Sequence, residues 1–540
     1  MAQRMIANYL SFEKNPIKLI EQVIKVRKFV LKKAVEATGL PIGTILFTSV
    51  LFLGLPTGLL FRCLFRGNKF MRALMAFVLG CVMSLMTFGE STKHCAYMAI
   101  PSLLLLHLSE KTKFRSGVGL CTFLWSFGYL VYVHYTADSG GEWKKGNIDI
   151  TGLLMVLTLK LTSCAMNYED FHTLKIEEKS KFMIKHELEK VPDVLEYFAW
   201  CMFPCTLVSG PTLEFKTFRM WLREEDIFDP ESPRNKLTHY KRFPRDWQVL
   251  CVLRFIGAIL CLAVHLYLAS IVSLTDIFAK VGFWEQMSAW EKFKIVYISG
   301  TAGKYKYYFV WMFADSACAA CGLSYAGINT ENSITGREGP EEWNAMTNVH
   351  PFGVDFANTF AEIPTNWNIR TGVWLRHYCY ERIHRFMKRV SGNKNRKAGF
   401  VELVLTQLVS GIWHGLYAGY WMFFSSSALI IYCARKTYKW QREYMPERFV
   451  KYWKVFSLLM THFGLLYLTP AFQLVEYTDS IRAWSGLYWC IHAVSVALIL
   501  LTSIVRPTSW RMKKAVAESN AAAAAAAAAQ NKVKESKKRR

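Results

Sequence analysis

The sequence predicts an all-α, polytopic membrane bundle of about eleven transmembrane helices, at roughly twenty apolar residues per span. Three observations carry that prediction. Hydrophobic residues make up 52% and aromatic residues 15% of the 540, and the mean hydropathy is positive, at +0.15. Apolar runs long enough to cross a bilayer recur along most of the chain. The cationic excess is +25 and sits in polar loops between those runs. Cytosolic loops of membrane proteins carry such an excess, and it attracts anionic headgroups, so nucleic acid is not the partner expected here.

Residues 1–40 read as a basic amphipathic N-terminal segment. From Pro16, which suits a first helical turn, Ile17, Ile20, Val23, Ile24, Phe29 and Leu31 alternate with Lys18, Lys25, Arg27, Lys28, Lys32 and Lys33. A helix lying on the membrane surface and a helix docked on the protein both fit this pattern. No compact apolar core precedes a small-residue cleavage site, so a cleaved signal peptide is not expected.

Residues 41–505 form the expected membrane domain. Its candidate spans lie near 42–64, 71–89, 94–108, 116–135, 149–167, 193–210, 248–273, 300–325, 400–433, 453–473 and 484–505. The 94–108 run is short and holds Pro101, which predicts a tilted or re-entrant piece. The 400–433 run exceeds one span, so it tilts, breaks at Gly415 or Gly419, or forms two pieces. Between spans, residues 168–192 read as an exposed charged helix. Residues 215–247 and 383–397 are rich in Arg and Lys and are expected in the cytosol.

Residues 506–540 form a polar, Ala-rich and basic tail. Lys537 and Lys538 stand fourth and third from its end. This resembles a dilysine retrieval signal of endoplasmic reticulum membrane proteins, and a plain basic tail fits equally. The fourteen cysteines form no framework. Cys318 and Cys321 are three apart in a small-residue apolar run, a helix-face pair rather than a metal site, and no metal is expected.

Two polar residues carry the chemistry. His414 lies inside the 400–434 apolar run, and an ionisable group at membrane depth is costly enough to imply a task. Histidine can act as a general base near neutral pH. Asn368, in Thr365-Asn366-Trp367-Asn368-Ile369-Arg370, offers two N–H donors and one acceptor, suited to an oxyanion or a carbonyl. No nucleophile elbow is present. A histidine without a protein nucleophile fits activation of a substrate hydroxyl, hence direct group transfer. The alternative is a structural histidine bonded to a neighbouring helix carbonyl. A transporter would also carry an intramembrane histidine, but it would usually show repeated halves, and none is visible.

The run Pro364-Thr365-Asn366-Trp367-Asn368-Ile369-Arg370-Thr371-Gly372, continuing through Trp374-Leu375-Arg376-His377-Tyr378-Cys379-Tyr380-Glu381-Arg382, resembles a signature of the membrane-bound O-acyltransferases. Gly411-Ile412-Trp413-His414-Gly415 resembles a second one, and residues 158–170, 191–215 and 311–329 are similar to the lysophospholipid acyltransferase subgroup. The resemblance implies a helical bundle enclosing a reaction tunnel, in the endoplasmic reticulum membrane. It also implies an asparagine–histidine active-site pair, here Asn368 and His414, with Asn366 outside the pattern. The implied reaction is acyl transfer from acyl-CoA to a lysophospholipid hydroxyl, as in phospholipid remodelling, with acyl-CoA a substrate and no cofactor. Arg376 and Arg382 become candidates for CoA phosphates, and Trp367, Trp374, Tyr380 and Trp413 for tunnel walls. Membrane lipids are the expected surroundings and a homodimer is left open. A protein O-acyltransferase is the rival within the family.

Overall fold

The computed structural model describes residues 31–39, 41–64, 67–137, 148–228, 247–328, 341–393 and 395–504, with Phe29 and 518–520. Most of the expected N-terminal segment and tail, and 229–246 of the basic loop, lie outside these residues. Among the described residues the chain is α-helical. Its β structure is a two-residue antiparallel pair, Gly327–Ile328 with Glu341–Glu342, and one bridge between Val349 and Trp367.

Five described helices are long and apolar enough to cross a membrane: Ile42–Cys63, Lys69–Thr112, Val118–Ala137, Trp247–Phe278 and Glu447–Leu474. A sixth arises if Tyr477–Ser485 and Cys490–Ile504, bent by 73°, count as one span. Others expected as spans are helical but more polar, and they sit inside the bundle. Thr151–Thr173 buries Thr158, Lys160, Thr162, Ser163 and Asn167. An ammonium this deep needs acceptors. Lys160 Nζ finds the Trp200 carbonyl at 3.0 Å and Thr206 Oγ1 at 3.2 Å. Ala289–Ala320 packs along Trp247–Ile271, and Arg254 Nη1 joins them through Asp315 Oδ1 at 3.0 Å.

Three expectations change. The 193–210 run is a short helix, Val194–Cys201, followed by the 3-10 turn Pro204–Thr206. Pro204 lacks the N–H that a continuing helix needs and pushes Phe203 out of helical geometry. Trp200, Phe203 and Cys205 are buried in protein. Pro101 does not interrupt its helix. Lys93–Thr112 runs through it, and with Lys69–Phe88 and the turn Gly89–Thr92 it makes one apolar stretch of 44 residues. Residues 168–192 are not one exposed helix. They hold the end of Thr151–Thr173, a 3-10 turn at Ile176–Glu178 and the short helix Lys181–His186, with Met183 and His186 buried.

The long apolar run after Gly399 does divide, into Phe400–His414 and Ala418–Tyr444. Glu402, fully buried, anchors the first helix. Its carboxylate accepts from Gly399 N at 2.9 Å, pairs with Arg396 and meets His384 Nδ1 at 3.1 Å. The second helix is welded at its start to the end of Glu447–Leu474. Gly419 N donates to Val475 O at 2.7 Å, and a Cβ on Gly419 would stand 2.2 Å from Ala471 O.

Candidate active site

His414 is the last residue of its helix, because Gly415 follows with φ +136° and ψ −176°, a conformation open to glycine and strained for other residues. The break is held from several sides. His134 Nε2 meets the Trp413 carbonyl oxygen at 3.1 Å, which requires that nitrogen to carry the proton. Trp413 Nε1 donates to Met155 O at 2.9 Å, and Trp421 Nε1 to Gly415 O at 3.1 Å. The His414 ring lies in an aromatic box. It stacks on Phe424 at 5.0 Å and meets Phe472 edge-on at 5.1 Å. Among the described residues nothing hydrogen-bonds to that ring, so the carbonyl-bound structural histidine is His134 rather than His414.

Asn368 precedes the helix Ile369–Trp374 in the left-handed region, at φ +46° and ψ +50°. An asparagine at a helix start normally turns its side-chain oxygen onto the first amides. Asn368 makes no such cap. Asn348, in the preceding polar segment, supplies it instead. Its backbone oxygen accepts from Ile369 N at 2.9 Å, its Oδ1 accepts from Arg370 N at 2.9 Å, and its Nδ2 donates to Asn368 Oδ1 at 3.1 Å. Alongside, His350 N donates to Asn366 O at 2.9 Å. Trp367 packs edge-on against Trp311, with centroids 4.9 Å apart.

Asn368 and His414 line one cavity of about 230 Å³, whose walls are mostly apolar and aromatic. Trp367 and Trp413 line it as well. The other expected wall and phosphate residues lie outside that lining. Trp374 is buried, and its Nε1 donates to Leu159 O at 3.0 Å. Tyr380 carries the Arg435 guanidinium over its ring, 5.8 Å from the centroid. Arg382 pairs with the buried Asp170 at 2.6 Å, and Arg376, 72% exposed, reaches Glu381 at 3.4 Å. Asn366 donates to Glu362 O at 3.1 Å and is absent from the lining.

Sequence reasoning missed several neighbours. Lys304 lines the cavity and is paired with Asp355, to which Tyr308 Oη also donates at 3.2 Å. A lysine inside an apolar run was a visible signal. Asn348 and His134 gave none. Outside the cavity lining, Glu214 accepts from Tyr378 Oη at 3.0 Å and Asn167 Nδ2 at 3.0 Å. Burial pushes its carboxyl up to about 7, against the lowering effect of those bonds.

Comparisons with known proteins give the family of the chain. The profile of the MBOAT, membrane-bound O-acyltransferase, family matches residues 135–472, a stretch holding both Asn368 and His414. Two proteins of Arabidopsis thaliana are similar over most of their length. Lysophospholipid acyltransferase 1 is 32% identical over 447 residues, 82% of this chain and 91% of its own. Lysophospholipid acyltransferase 2 is 31% identical over 428 residues, 79% of this chain and 86% of its own. The human membrane-bound glycerophospholipid O-acyltransferase 2 is 25% identical over 481 residues, 87% of this chain and 86% of its own.

Proposed function

The chain belongs to the membrane-bound O-acyltransferase family, and we propose that it moves a fatty acyl group from acyl-CoA to the free glycerol hydroxyl of a lysophospholipid. The acceptor class rests on the names of its relatives. One observation carries the chemistry: two segments far apart in sequence bring Asn368 and His414 to the same apolar cavity. Such a cavity excludes water and strengthens polar contacts inside it.

In this reading His414 takes the proton from the acceptor hydroxyl as its oxygen attacks the thioester carbonyl. The new C–O bond leaves charge on the carbonyl oxygen, where an N–H of Asn368 bonds to it. Collapse breaks the C–S bond, and His414 returns the proton to the departing CoA thiolate. The donor's charged end enters from the cytosol and the acceptor from the lipid, along a tunnel enclosed by the helical bundle. Arg376 stands free enough to meet CoA phosphates at the mouth, whereas Arg382 is engaged by Asp170. The endoplasmic reticulum membrane is the proposed location, and no metal or prosthetic group enters the steps.

The test is a transfer panel with purified protein in detergent. Several lysophospholipids, a serine-bearing peptide and several acyl-CoAs are supplied, and products are weighed by mass spectrometry. Diacyl phospholipid formed by the wild type and not by His414→Ala is the expected result. Acylated peptide, or equal product from both proteins, overturns the reading.

A further inference from the structure

The cap of the Ile369–Trp374 helix comes from the wrong residue, and that exchange has a chemical result. The first amides of a helix have no partner inside it. Asn368 occupies the position from which a side chain usually answers them, and Asn348 answers instead. Asn348 is 2% exposed, so its amide has little choice of partner. The Arg370 backbone N–H can only donate, so the atom facing it must be the Asn348 oxygen. The Asn348 nitrogen then faces Asn368 and donates, so the atom it meets must be the Asn368 oxygen. A flip of either amide would set donor against donor or acceptor against acceptor. With its oxygen turned to Asn348, Asn368 presents its N–H₂ group on the other side. Among the described residues no group accepts from that N–H₂, and Asn368 lines the cavity.

The segment carrying Asn348 is itself fastened to the bundle. Thr347 Oγ1 donates to Asp315 Oδ2 at 2.9 Å, and Arg254 pairs with the same carboxylate at 3.0 Å. Arg254 also donates to the Trp343 carbonyl. Two helices thus hold the loop that holds Asn368.

We propose that Asn348 is a positioning residue that takes over the helix cap and locks the Asn368 amide as a hydrogen-bond donor into the cavity, toward the oxyanion of acyl transfer. This rests on the catalytic reading of Asn368 given above. A locked donor costs no reorganisation when charge develops. A residue that merely stabilised the loop would not decide which end of the Asn368 amide meets substrate.

Four full-length variants test it: Asn368→Ala, Asn368→Asp, Asn348→Asp and the double variant Asn348→Asp with Asn368→Ala. Asn368→Asp keeps an acceptor for Asn348 and removes both donors. Its kcat should fall as far as that of Asn368→Ala, by about 100-fold. Asn348→Asp keeps the acceptor for Arg370 and removes the donor to Asn368. It should lower kcat by about 10-fold or more, with both KM values little changed, and cause no further loss in the Asn368→Ala background. Wild-type turnover in Asn368→Ala sinks the catalytic reading itself. If Asn368→Ala is impaired, retained activity in Asn368→Asp, or additive losses in the double variant, overturns the present inference. Should Asn348→Asp fail to fold, the comparison of Asn368→Asp with Asn368→Ala decides the donor role.

Discussion

His134 and Trp413 are joined by a bond between a ring nitrogen and a backbone carbonyl, 3.1 Å long, across two helices. The carbonyl belongs to the last turn of the helix that ends in His414, where helical partners run out. His134 therefore closes the end of that helix and fixes where His414 starts its side chain. His134→Phe leaves a buried carbonyl unpaired, at a cost of about 1–3 kcal/mol. His134→Gln keeps an N–H at similar reach. Thermal unfolding and kcat should both drop in the Phe variant and largely recover in the Gln variant. Equal behaviour of the two would assign His134 to simple packing.

His414→Ala should abolish transfer while the protein elutes from a sizing column as the wild type does. Asn368→Ala should lose about 100-fold or more in kcat, as removal of an oxyanion donor does elsewhere. Asn366→Ala should do far less, because its amide is spent on Glu362 O and Thr365 Oγ1. The reverse order of the two asparagines would show that the wrong one was chosen.

Gly415→Ala forces an alanine into a backbone conformation that suits glycine, and its Cβ would stand 3.3 Å from Tyr420 Cε2. The strain is about 1–3 kcal/mol. A lower Tm together with lower kcat is expected, since the same residue sets the end of the His414 helix. Unchanged turnover would mean that the break can relax without moving the histidine.

Arg376 and Arg382 should separate. Arg382→Gln strands the buried Asp170 carboxylate, so folded yield should fall, by an amount in the range of about 3–5 kcal/mol for a broken buried pair. Arg376 is mostly exposed, and its contact with Glu381 contributes little. Arg376→Gln should leave yield intact and raise KM for acyl-CoA, with KM for the acceptor unchanged. A matching rise in both KM values would remove it from the donor's path.

Glu214 gives a pH dependence. Its folded pKa, about 7, lies above the ordinary 4.5 because burial favours the neutral form. A raised carboxyl contributes stability that is complete below pH 4.5 and is lost as pH climbs from 4.5 through 7. That rise is worth on the order of 3 kcal/mol. Glu214→Gln fixes the neutral form and should flatten Tm across pH 5 to 8, gaining on the wild type at the alkaline end. Parallel pH curves for the two proteins would show that Glu214 does not titrate there.

His414 stands out in the sequence because an ionisable group in an apolar run carries a cost that singles it out, whereas Asn368, in a polar run, is marked by the resemblance of its motif. Asn348 and His134 carry no such mark. Their meaning lies in bonds to residues 20 and 279 positions away, and no local pattern records those. The helical character was legible for the same reason that some spans were misjudged. Hydropathy reports removal from water and does not say whether lipid or protein does the covering. The 193–210 run satisfies that measure while its aromatic side chains face other helices. The ion pair of Arg382 with Asp170 joins two segments that sequence reading treated separately.

The weld at Gly419 closes a hairpin at its second end. Ala418–Tyr444 and Glu447–Leu474 are tied at one end by the two-residue link Met445–Pro446. At the other end Gly419 is bonded to Val475, and the close approach leaves no room for a side chain. Phe424 and Ile431 on one arm, and Leu465 and Phe472 on the other, border the cavity between those two fastenings. A wall held at both ends can yield only by bowing in its middle, so the residues nearest His414 and Gly419 keep their spacing.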